Sequence, residues 1–190
     1  MPRSRDKTRL RILQAAYGLF RRRGFARVSV DEIAAAANVT KRTLYSHFES
    51  KDALLAQAFE AQHDLTFSAF QTIGLELSGA PKDIVEIFFR ELDVWSAKPR
   101  WAGSGFTRLV VELADLPGHP ARKIAKRHKA ILEDQLSRAL AEVGTTRSKE
   151  LARELWLLAE GAMVLILIHG DRSYASAAAE AARKLVLAHT

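Results

Sequence analysis

The 190-residue sequence predicts an all-α protein of about nine helices. Three observations predict it. Apolar residues recur at spacings of three and four between Gly and Pro breakers. No run sustains the period of two that a half-buried strand needs. Ser29, Thr40 and Ser50 stand at the heads of such segments, as helix caps do. At 48% hydrophobic and 27% charged, the chain has the composition of a globular protein.

The first helix is expected over about residues 7–23, with Leu13, Ala16, Tyr17 and Phe20 on its buried face. Arg21, Arg22 and Arg23 close it, cations favourably placed against the helix dipole, and Gly24 supplies the residue that ends it. Ser29 and Glu32 form a capping box for the second helix, whose Val30, Ile33, Ala34 and Ala37 share a face. Ala34 and Ala35 are small enough for another helix to cross closely. Asn38 tolerates the left-handed backbone of a tight turn, and Val39 is the apolar turn residue. Thr40 caps the third helix, residues 41–48 (KRTLYSHF), in which Leu44 and Phe48 face inward. Lys41, Arg42, Thr43 and Ser46 point outward, with Tyr45 and His47 at the edges. Two short helices about a tight turn, the second basic on its outer face, make the pattern of a helix-turn-helix, whose second helix lies in the major groove of DNA.

The charge distribution agrees. Residues 1–51 carry 12 Lys and Arg against 4 Asp and Glu, a net of +8, while residues 52–190 carry 17 against 18. The whole basic excess therefore sits with the motif, as phosphate binding requires. Arg42, Lys41 and Thr43 are the candidates for base edges, Arg42 being able to pair with guanine through two hydrogen bonds. Ser29, Thr40, Tyr45, His47 and Lys51 are the candidates for phosphates, and Ser46 shares the outer face. The basic N-terminus could be an arm on the DNA or a solvated tail.

Ser50 caps the fourth helix, which is expected to run to about Leu77, near 40 Å of stiff rod. Gly79 and Pro81 precede a fifth, patterned by Ile84, Ile87, Phe88, Leu92 and Trp95 and closed by Lys98-Pro99. The sixth covers about 105–114. A Pro-Gly-His-Pro turn opens the seventh, which Gly144 ends. The eighth spans about 147–169 and the ninth about 174–189, with Gly170 between them. Residues 1–50 are thus expected to read DNA, and 51–190 to form a larger helical domain.

Over residues 9–55 the chain resembles the TetR family of bacterial one-component regulators. The resemblance rests on Ile12, Ala15, Ala16, Phe20, Gly24, Phe25, Ser29, Val30, Ile33, Ala34, Ala37, Val39, Thr43, Leu44, Tyr45, His47, Phe48, Lys51 and Leu54. The run TLYSHFESKDALL is especially similar to the family's "TLYxHFxSKxxL" signature. Asn38 stands where the family usually has Gly, Ser29 where Thr is common, and Arg42 where Gly is frequent. The resemblance implies a homodimer on double-stranded operator DNA, and a small-molecule effector pocket enclosed mainly by the fourth to eighth helices. Such a pocket suits an apolar or amphipathic ligand. Its candidate residues are His63, Phe67, Phe70, Phe89, Trp101 and Phe106.

The last two helices are the expected dimer face. Residues 155–168 hold 12 apolar residues in 14, too short a run for a membrane span but apolar all round, as a helix buried on every side would be. Leu155, Leu158, Ala162, Leu165 and Ile166 of the eighth helix, with Ala178, Ala182 and Leu185 of the ninth, are expected to pack about a two-fold axis. There is no cysteine, which excludes a disulfide framework and fits a reducing cytoplasm. No signal-peptide core, Gly-rich phosphate loop, nucleophile motif or metal-ligand spacing is present, so no metal, cofactor or membrane partner is expected. The alternatives are a DNA binder without an effector, architectural or replication-linked, and an all-α enzyme.

Overall fold

A computed structural model describes the backbone of residues 4–74 and 80–189 and the side chains of residues 5–68 and 80–187. Among the described residues every regular element is a helix: α1 (Ser4–Arg23), α2 (Val30–Ala36), α3 (Lys41–Tyr45), α4 (Lys51–Gly74), α5 (Pro81–Ser96), α6 (Gly105–Glu112), α7 (Pro120–Glu142), α8 (Ser148–His169) and α9 (Ser173–His189). The expected end of the fourth helix at Leu77, the first three residues of the possible N-terminal arm and the side chain of Phe70 lie outside the described residues, while from Ser4 the chain is already helical.

Local chemistry sets the helix ends. Ser29 caps α2 with both bonds of the capping box. Thr40 accepts from the Thr43 amide at 3.1 Å at the head of α3, and Ser50 from the Ala53 amide at 3.0 Å at the head of α4. Asn38 turns the chain at φ 52°, and Gly170 ends α8 at φ 68°. Two caps were not anticipated: Ser104 for α6, and Asp83, whose carboxylate takes the Ala80 amide at 2.8 Å before α5.

The chain packs as two compact units, residues 1–66 with 104–128, and 67–103 with 129–190. In the first, Ile12, Ala16 and Phe20 of α1 meet Ile33 of α2, Leu44 of α3, Leu54 and Phe59 of α4 and Leu109 of α6, all fully buried. In the second, α5, α8 and α9 pack together around Ile84, Val85, Leu151, Leu155 and Ala182. Both α4 and α7 begin in the first unit and end in the second. Among the described residues no helix is long and apolar enough to cross a membrane.

The expected dimer residues divide. Leu155, Ala162, Ile166, Ala178 and Ala182 are at most 7% exposed within the single chain, where α8 packs on α5 and α9. Leu158 and Leu185 are half-buried, and only Leu165 is open. The apolar residues that α8 leaves in solvent are Leu157, Val164, Leu165, Leu167 and Ile168. A helix apolar all round gives no periodic cue as to which stripe its own chain covers.

Candidate nucleic-acid interface

α3 is positioned by what it buries. Leu44 and the following Phe48 are 0% and 1% exposed, which fixes the helix against α1 and α2; each such side chain contributes about 1.5–3 kcal/mol by leaving water. The helix is shorter than the expected 41–48. Beyond Tyr45 the Ser46 hydroxyl donates to the Thr43 carbonyl at 2.7 Å, and the His47 amide reaches back only three residues, to Leu44.

The outer face is held in register by polar contacts. Lys41 Nζ pairs with Asp31 Oδ2 at 3.0 Å, tying α3 to α2, and this raises the lysine's pKa. Arg23 pairs with Glu32 at 2.5 Å, tying α1 to α2. The Glu32 carboxyl is held down at about 2, first by the Ser29 amide and then by Arg23 and the Ser29 hydroxyl. The Thr40 and Thr43 hydroxyls lie 2.9 Å apart.

The predicted contact residues therefore differ in what they have free. Arg42 and Tyr45 stand in solvent, and Arg42 has no side-chain partner among the described residues. Lys41 is exposed but paired. Ser29 donates its hydroxyl to Glu32 at 2.8 Å and accepts from the Glu32 amide, so it serves as a cap. Lys51 lies with its ammonium 4.3 Å from the Phe25 ring centre, and partial burial lowers its pKa. His47 is half-buried beside Phe48, with ring centres 6.2 Å apart.

The expected effector residues fall in both units. His63 is buried in the first unit, its Nδ1 2.8 Å from Nδ1 of His128, and His128 stacks on Phe106 at 3.8 Å. Phe89 and Trp101 belong to the second core. Phe67 is half-buried on α4. In the second unit Trp101 Nε1, Trp156 Nε1 and Gln135 Oε1 are buried polar atoms without a hydrogen-bond partner among the described residues. Two residues central to the first unit escaped the reading of the sequence. One is His128 as partner of His63. The other is Glu112, which accepts from the Phe25 and Ala26 amides across 87 and 86 residues; no local pattern signals a contact so distant.

Residues 12–58, the span from the core of α1 through α3 into α4, match the family model described as bacterial regulatory proteins, tetR family. That segment is similar to the DNA-binding domain of the TetR family. Its fold is that of the TetR-family transcriptional regulator SCO4454 from Streptomyces coelicolor, with a TM-score of 0.85 and 26% identity over 97% of this chain and 96% of that one. It is 35% identical over 71 residues to the HTH-type transcriptional regulator YerO of Bacillus subtilis, covering 37% of this chain. It is 29% identical over 130 residues to the HTH-type transcriptional repressor SCO4008 of Streptomyces coelicolor, covering 65% of this chain. The chain spans less than two thirds of those curated relatives, 25% of YerO and 64% of SCO4008.

Proposed function

We propose that this protein is a DNA-binding transcriptional regulator of the TetR family, a homodimeric repressor released from a palindromic operator by a small apolar or amphipathic effector. The observation that carries DNA reading is the outer face of α3. Arg42 is exposed and without a partner on a short helix whose inner face is locked into the core, and an unpaired guanidinium is suited to the O6 and N7 of a guanine. Lys41, Thr43 and Tyr45 flank it. Residues 1–50 do the reading, and 51–190 dimerise and bind the effector. The dimer is supported by the apolar stripe that α8 leaves in solvent. Repression is supported by the similarity to SCO4008. The buried unpartnered indole N–H groups of Trp101 and Trp156 offer hydrogen bonds to an effector with acceptor atoms. The relatives are regulators rather than enzymes.

Selection from a random duplex library with the wild-type protein, followed by binding of Arg42→Ala to the enriched duplex, tests the reading. The variant is expected to lose about 1–3 kcal/mol on that duplex and to accept other bases at one position. Equal weakening on every sequence would show that Arg42 holds phosphate instead of reading a base.

A further inference from the structure

The corner between α1 and α2 presents two backbone amides to a carboxylate from far along the chain. Gly24 lies at φ 89°, and its amide closes α1 on the Phe20 carbonyl. Consecutive N–H groups beside a left-handed residue form a concavity that binds anions. Here the anion is the chain's own Glu112, at the end of α6. Phe25 N and Ala26 N donate to its two oxygens at 2.7 Å each. A Cβ on Gly24 would come within 3.0 Å of the same carboxylate, so the fit admits only glycine without rearrangement. α6 is braced at both ends. A Cβ on Gly105 would overlap the Tyr17 hydroxyl of α1, and Arg122 donates to the Leu113 and Ala114 carbonyls just past Glu112.

The corner lies close to the reading surface in the chain. Only Arg27 and Val28 separate Ala26 from the Ser29 cap, so the corner fixes where α2 starts. Through the Asp31–Lys41 pair it also bears on where α3 points. We infer that Glu112 is a positioning residue for DNA reading: by filling the anion site at the α1–α2 corner, it makes α6 the fixed point from which the helix-turn-helix is aimed. The inference rests on the DNA-reading function proposed above.

Glu112→Gln tests it. The amide keeps the shape but turns an NH2 group toward one of the two N–H groups. The wild-type protein and the variant are each titrated with the duplex enriched by wild type from a random library and with a scrambled duplex. Hydrogen exchange is followed at the Phe25 and Ala26 amides. The ratio of selected to scrambled affinity is expected to fall about tenfold, comparable to one mismatched base pair. Binding to the scrambled duplex should not weaken, because the variant keeps every cation. It loses a carboxylate that acts on Lys51, a change that bears on all sequences alike and cancels in the ratio. The two amides should exchange faster in the variant than in wild type. An unchanged ratio overturns the assignment, as do wild-type amides that exchange as fast as the variant's. A variant that fails to fold overturns it too, since Glu112 would then be a clamp on the fold. A wild-type protein that enriches no duplex overturns DNA reading itself, which distinguishes that failure from one confined to Glu112.

Discussion

Glu32 shows how one side chain serves two structural joints. It closes the capping box on the Ser29 amide and also receives Arg23 from the end of α1. Both bonds favour the charged carboxylate, and its pKa falls from 4.5 to about 2. A carboxyl depressed in the folded state contributes stability that is fully present above its unfolded pKa and is lost as pH falls through the folded value. The wild-type melting temperature should therefore include a fall between about pH 4.5 and 2 that Glu32→Gln lacks. Parallel melting curves of the two proteins across that range would assign the acid sensitivity elsewhere. Residues of this kind were legible in the sequence because a capping box spans only three positions. The Glu112 bonds were not, since nothing near Phe25 or near Glu112 marks the other as its partner. His63 was legible as a candidate polar anchor for an effector on α4, but its partner, 65 residues away, was not.

At the scale of elements, breakers and caps placed the helices, and their ends shifted by a few residues, as at the start of α1 and the end of α3. α3 stops at Tyr45 because Ser46 donates back to Thr43. The faces of α1, α2 and α5 followed from their spacing, because each has a polar side to contrast with its apolar one. α8 has no such contrast, so spacing could not separate the stripe buried in its own chain from the stripe left in solvent. The structure separates them, and that changes where a disrupting charge belongs. Ala182→Glu would place a carboxylate in the core of a single chain, where Ala182 is 0% exposed, and should destabilise the fold itself. Ile168→Glu, at a position 66% exposed in the single chain, should leave each chain folded. In the proposed dimer it would bury an unpaired charge, which is expensive. Sedimentation should show Ile168→Glu as a folded monomer where wild type is a dimer. A variant that sediments as wild type does would move the interface away from this end of α8.

At the scale of the whole molecule, the packing units do not follow the order of the chain. α6 and the first part of α7 pack with the helix-turn-helix, although 37 residues of the other unit intervene in sequence. The unit that holds the helix-turn-helix is thus larger than the segment that carries the family signature. A sequence pattern marks that signature because it is local, but it says nothing of helices recruited from later in the chain. The three tryptophans, Trp95, Trp101 and Trp156, all lie in the second unit. Intrinsic fluorescence therefore watches one unit, while helical ellipticity watches both. In chemical denaturation the two signals should follow a single transition, because neither α4 nor α7 can melt in one unit without fraying a helix that continues in the other. If the fluorescence transition were displaced from the ellipticity transition, the units would unfold independently. The indoles would then report optically, without any introduced label, on the unit that does not contain the helix-turn-helix.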